Sequence, residues 1–177
     1  NGENIIVGGG SGSDNASIWL IGWSEDTVCG IYPKGSKAGL SHEDLGRRTQ
    51  DDGSGGKRQI LEQHYKWDTG ICVKDWRYVI RIPNIDKSEL TSDASGSSAN
   101  LPRLMYRALN KIESLEGVTP VFYMNRTVKQ FLGEQVEAGV SNSTLKSVDV
   151  GGAMVEMFHN VPVKRTDALA PDEATVS

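Results

Sequence analysis

All four tryptophans of the chain, Trp19, Trp23, Trp67 and Trp76, precede residue 88, and 13 of its 20 glycines precede residue 57. Beyond residue 88 the pattern changes to two amphipathic helical stretches, each leading into a strand-like run, with no tryptophan. A period of two in one half and of about 3.6 in the other restricts the chain to an α+β fold, since neither pattern sits stably in the other's conformation. An extended β half beside a compact α/β half suits a part in an assembly better than an enzyme.

Residues 1–16 are rich in glycine and read as a flexible connector. Ser17–Trp23 (SIWLIGW) is a nearly continuous apolar strand, Ser24–Thr27 a turn and Val28–Pro33 a return strand, which together predict a β-hairpin. Lys34–Gly46 reads as a polar excursion, and Asp51–Gly56 (DDGSGG) as a loop between two strand-like flanks. Gly70–Ile85 alternates for longer than an ordinary strand, which predicts one long strand, kinked or bulged. Pro83 lacks a ladder donor, so that strand is expected to end there or to lie at an edge.

Leu101, Leu104, Met105, Ala108, Ile112 and Leu115 recur at helical spacing and predict one helix ending near Gly117, capped by Asn100 with Pro102 in its first turn. Thr119–Met124 is a strand. Asn125–Gly139 is a second helix, capped by Asn125 or Thr127, stopped by Gly139 and buried along Val128, Phe131, Leu132 and Val136. Val155–Leu169 closes with one or two strands, and residues 171–177 read as a disordered tail. The resulting division is a connector over 1–16, a β-rich part over 17–87 and an α/β domain over 88–170.

A net charge of -4 gives no basic face for tight duplex binding. Cys29 and Cys72 lie far apart without a CxxC partner, so the expectation is reduced, buried thiols, with neither a disulfide framework nor a zinc site. No stretch approaches a membrane span and no secretory signal is legible, which predicts a soluble chain, intracellular when made. The absence of an initiating Met suggests a piece of something longer.

No chemistry-bearing motif survives inspection. GGGSGSDN has no GxGxxG frame, and the lysines Lys34 and Lys57 lack the phosphate-loop spacing. His42, Glu43 and Asp44 form an HED triplet that reads as a turn or an intersubunit contact, with no HExxH and no nucleophile elbow nearby. Asn15, Asn125 and Asn142 head N-x-[ST] triplets, which mean glycosylation only in a secreted chain. The expectation is therefore no catalytic residue, no metal and no cofactor.

The segments SIWLIGW, DTVCGIYPKGSKAGLSHEDLG, HYKWDTGICVKDWRYVIRIPNID, VFYMNRTVKQFL and FHNVPVKRTDAL resemble the C-terminal half of a group of tailed-phage and prophage major capsid proteins. The likeness covers about residues 1–170 and is most specific in WRYVIRIPNID and PVKRTDAL. The resemblance implies the tailed-phage and herpesvirus capsid fold. Residues 88–170 would be its axial domain, Gly70–Ile85 a long strand of its peripheral domain, and the SIWLIGW strand a member of the axial domain joined in permuted order. No N-arm, extended loop or long spine helix is legible, so these are expected upstream of Asn1.

The resemblance further implies a virion component, assembled in the bacterial cytoplasm into hexamers and pentamers of an icosahedral shell. Its partners would be copies of itself, with scaffolding and portal proteins, and DNA enclosed but not specifically bound; no membrane is involved. Trp67, Trp76, Arg77, Arg81, Arg103 and Arg107 are the candidate subunit-interface residues, because aromatic and Arg side chains dominate buried contacts between subunits. The alternatives are another shell or head-decoration protein, including a nanocompartment shell, and a small hydrolase or nucleotide-binding domain using the Gly-rich loop and the HED triplet.

Overall fold

The structure, a computed structural model, describes residues 2–35, 39–94, 98–138, 145–150, 153–170 and 172–176; Gly139 and Asn142 lie outside them. Its strands are β1 (Asn15–Trp23), β2 (Val28–Ile31), β3 (Ser41–Asp51), β4 (Lys57–Lys66), β5 (Gly70–Val73), β6 (Val79–Asp86), β7 (Thr119–Met124), β8 (Leu145–Val150), β9 (Ala153–Phe158) and β10 (Val161–Arg165). The helices are α1 (Leu101–Leu109) and α2 (Arg126–Ala138). Two units emerge, one of residues 1–28 and 73–177 and a smaller one of residues Cys29–Cys72.

The larger unit is organised around β1. One edge of β1 pairs antiparallel with β6, from Asn15↔Asp86 to Ile21↔Val79, and β7 pairs antiparallel with it from Trp19↔Tyr123 to Trp23↔Thr119. Beyond β7 come β10 in parallel, then β9 and β8 antiparallel. Ala16, Ile18 and Leu20 leave β1 on one face and are fully buried, together with Ile80, Ile82, Phe122 and Met124 from its neighbours. Leu101, Met105 and Ala108 of α1 and Val128 and Leu132 of α2 join the same cluster. SIWLIGW therefore lies in one unit with both helices, and residue 88 separates no compact bodies.

The predicted hairpin of SIWLIGW and VCGIYP is not formed. β1 meets β2 only at Trp23↔Val28, and in parallel. Both edges of β1 are already occupied by β6 and β7, so the chain turns out through Ser24–Thr27. Thr27 Oγ1 donates to the Gly22 carbonyl at 2.7 Å and Ser24 N–H to the Val28 carbonyl at 3.1 Å.

Gly70–Ile85 is likewise two strands rather than one. The Asp75 side chain accepts from Arg77 N–H and starts a 3-10 turn at Trp76–Tyr78 between β5 and β6. Pro83 does not end the strand. It sits in a bulge where Pro83 and Asn84 together oppose Ser17, between Ile18↔Ile82 and Ala16↔Ile85, so its missing donor interrupts no ladder bond. Asn84 takes φ 59° in that bulge, and its amide exchanges two hydrogen bonds with Val176.

The glycine-rich start is not a free connector. Gly8 and Gly10 N–H donate to the carbonyls of Pro83 and Asn84, each at 2.8 Å. A Cβ on Gly8 would lie 2.6 Å from the Asn84 oxygen, so glycine is needed here for close approach rather than for flexibility. The described tail residues are also held. Glu173 N–H donates to the Asn15 carbonyl, and the Glu173 carboxylate binds Arg81 at 2.8 Å and accepts from Ser17 Oγ.

The helices carry the expected caps: Asn100 accepts from Arg103 N–H at 3.0 Å and Asn125 from Val128 N–H at 2.8 Å. α1 stops at Leu109, shorter than predicted, because Asn110 closes it with its side-chain amide on the Tyr106 carbonyl. Ile112 still reaches the core while Leu115 is exposed. Gln135 of α2 is buried and bridges the start of α1. Its oxygen accepts from Leu101 N–H, and its amide donates to the carbonyls of Thr91 and Ala99.

Two outcomes follow from this packing. Phe122 is fully buried and meets Phe158 edge to face at 6.0 Å, so Phe122→Ala should lower unfolding free energy by about 3–5 kcal/mol in urea titrations. Buried Asp86 accepts from Ser88 Oγ and N–H, which hold its carboxyl below the usual range against the opposing effect of burial. A depressed folded value stabilises the protein above the unfolded Asp value of about 3.9, and that contribution is lost as pH falls through the folded value. Asp86→Asn should flatten this acid limb in denaturation midpoints taken across pH; an unchanged limb would count against Asp86 as its source.

Candidate functional site

The smaller unit is built around a two-stranded ribbon. β3 and β4 pair antiparallel from Ser41↔Lys66 to Asp51↔Lys57, so the strand-like flanks of the DDGSGG loop are strands as expected, and Ser41–Gly46, read as part of a polar excursion, extends the first of them. The connecting turn caps itself. Asp52 accepts from Ser54 and Gly56 N–H, Asp51 accepts from Gly53 N–H, and Gly53 and Gly55 take positive φ. A bulge at Leu45 lets Asp44 accept from Gly46 N–H at 2.9 Å, and Glu62 receives both hydrogen bonds of Arg48, raising the guanidinium's proton affinity.

Nearly every residue of β3 and β4 is exposed, on both faces of the ribbon. Leu61 is 77% exposed, Trp67 64% and Tyr65 57%. Exposed side chains of that size are unusual on a surface that meets only water, and a two-stranded ribbon is marginal alone. Beside it Ile31, Tyr32, Pro33, Trp67, Asp68 and Gly70 line an open cleft of about 490 Å³. Of the ribbon's apolar residues only Trp67 was singled out from sequence. The spacing of Leu61, Tyr65 and Trp67 on alternate positions was the available signal, obscured by the polar residues between them.

The HED triplet does not converge. It lies in β3, where His42 stacks on Tyr65 at 4.7 Å and Asp44 holds the bulge, while Glu43 points to the opposite face, across from His64. Among the described residues no three His, Cys, Asp or Glu groups gather in a way that could hold a metal. The Gly-rich loop leads into strand β1, not into a helix that could hold a phosphate.

The remaining predicted residues fall in the larger unit and divide into two kinds. Arg81 is committed internally: it binds Glu173, donates to Ser17 Oγ at 3.1 Å and lies 5.3 Å over the Trp19 ring. Trp76 and Arg77 lie at the surface. Arg77 bridges Asp75 and Glu113, and its hydrogen bond holds the Asp75 carboxyl below the usual range. Those two residues line a groove with Asn4, Asn110, Lys111 and Ile112. Arg103 and Arg107 are exposed on α1 beside Tyr106, with no acidic partner among the described residues. Of the six candidates, Trp67 lies in the smaller unit and the other five in the larger one.

The described surfaces offer exposed aromatic, aliphatic and cationic side chains for contact, on the ribbon of the smaller unit and on α1 and the 3-10 turn of the larger one. No helix among the described residues is long and apolar enough to cross a membrane. No curated protein matches the chain. The profile of the family described as Major capsid protein GP7 matches residues 1–177, the whole of the sequence. The family's role is structural, in the virion shell. The chain belongs to the GP7 family of major capsid proteins.

Proposed function

We propose that this capsid protein assembles into hexamers and pentamers of an icosahedral phage head, formed in the bacterial cytoplasm with scaffolding and portal proteins and enclosing DNA without binding it specifically. In this reading the larger unit is the axial part of the tailed-phage and herpesvirus capsid fold, its elements joined in permuted order with β1 ahead of the helices. The ribbon of β3 and β4 is the extended loop that reaches a neighbouring subunit. Trp67, Trp76 and Arg77 are contact residues, and Arg103 and Arg107 meet acidic groups of another copy.

The observation that carries this is the exposure of Leu61 and Tyr65 on β4, a strand with no buried residue, and of Trp67 just beyond its end. A surface of that kind is stabilised when a partner buries it, and aromatic anchors supply most of the energy of such contacts. The net charge of -4 fits an inner surface that does not grip DNA.

Leu61→Ser and Tyr65→Ser should each weaken the subunit contact by about 2 kcal/mol and raise the protein concentration needed for assembly about 30-fold. The larger unit's thermal transition should stay in place. Assembly is read by sedimentation and electron microscopy of the gene's product with its scaffolding components present. Shells forming at the wild-type concentration in both variants would overturn the role given to the ribbon, and a wild-type product that stays monomeric would overturn the assembly itself.

A further inference from the structure

We infer that Cys29 and Cys72 face each other across β2 and β5 and form a reversible disulfide that joins the two ends of the smaller unit. The strands are hydrogen-bonded neighbours in the sheet. Two points fix their alignment. Lys74 N–H donates to the Thr27 carbonyl at 2.8 Å, and a Cβ on Gly70 would lie 3.3 Å from Ile31 Cγ1. Residue numbers thus rise along β2 as they fall along β5, so the pairing is antiparallel. Residues 28–30 lie between these points on one strand and 71–73 on the other, and Cys29 and Cys72 are the middle residue of each.

Directly opposite residues of an antiparallel pair leave the sheet on the same face. Directly opposite residues of an antiparallel pair have Cα atoms about 4.5–5.5 Å apart. A disulfide spans Cα separations of about 4.4–6.8 Å, so no backbone rearrangement is required. Both thiols are unpaired in the structure and half-buried, within reach of a small reagent.

The reaction needs an external oxidant, a low-molecular-weight disulfide such as oxidised glutathione. The thiolate of one cysteine attacks a sulfur of that disulfide and expels one glutathione thiolate, leaving a mixed disulfide on the protein. The second cysteine then attacks the protein sulfur of the mixed disulfide and expels the other glutathione. Two protein S–H bonds are replaced by one protein S–S bond, and the two electrons and two protons end on two glutathione thiols.

The bond closes a ring over residues 29–72, the stretch whose ribbon has no core, and a constraint on the unfolded chain grows with the length of the loop closed. A capsid passes from a reducing cytoplasm to an oxidising exterior, which would leave the thiols reduced during assembly and join them afterwards. That use rests on the virion role; the chemistry depends only on the strand pairing, so the test is run on the unassembled chain.

The folded full-length chain is incubated with oxidised glutathione, quenched with acid and analysed by intact mass and peptide mapping. The expected result is joint loss of both thiols in a single chain, with the mass lower by two hydrogens. The Cys29 and Cys72 peptides should be linked until reductant is added, and the thermal transition should shift upward only in the oxidised form. In Cys29→Ser, Cys72 should retain a glutathione that the wild type expels. The inference is overturned if the wild-type thiols stay titratable, if each keeps its own glutathione, or if the linkage joins two chains. The wild-type peptide map decides the matter even where Cys29→Ser fails to fold.

Discussion

The larger unit depends on β1 being held on both edges at once. A strand as apolar as SIWLIGW cannot lie at a sheet edge without exposing its ladder and its side chains, and here β6 takes one edge and β7 the other. The consequences extend outward from that arrangement. β7 brings α2 directly after it, with Asn125 as the joint between strand and helix, and β6 leads to α1. Both helices then share the core face of Ala16, Ile18 and Leu20. Gln135 ties the start of α1 to α2 through two buried hydrogen bonds, to Leu101 and Ala99, which would each be costly to leave unmade.

The opposite face of β1 follows different rules. Ser17, Trp19 and Trp23 alternate with the core residues, and their partners are Glu173, Arg81 and Tyr123, joined by charge, ring stacking and a 3.0 Å hydrogen bond from the Trp23 indole to Tyr123 Oη. This explains what could and could not be read from the sequence. Strand β7, helix α2 and the caps at Asn100 and Asn125 were legible because local chemistry decides them. A bulge within Gly70–Ile85 was expected, but its place at Pro83, the packing of Gly8 and the attachment of Glu173 were not legible, because each depends on a segment distant in sequence. Glycine at position 8 reads as flexibility until the Asn84 carbonyl is known to be 2.6 Å from where a Cβ would stand.

The candidate site was legible to a similar degree and for the same reason. Whole-segment likeness identified the capsid family, but no motif locates a contact surface. Trp67 could be named as a candidate anchor because aromatic side chains dominate buried contacts between subunits. Leu61 could not, because its exposure is a tertiary outcome that no local pattern records. The same holds for the missing hairpin: the turn residues Ser24–Thr27 are suitable for one, and only the occupancy of both β1 edges prevents it.

Charged residues separate the two tasks of the chain most clearly. Arg81 and Arg107 are alike in sequence terms, yet Arg81 is surrounded by Glu173, Ser17 and Trp19, whereas Arg107 stands exposed on α1. A guanidinium whose donors are satisfied within its own chain has little left to offer a neighbour, since breaking those contacts would leave Glu173 as a poorly solvated, uncompensated charge. One whose donors meet only water can exchange that water for a carboxylate at small cost. Internal satisfaction, more than residue type, therefore distinguishes the side chains that hold this capsid subunit together from those available to join it to the next.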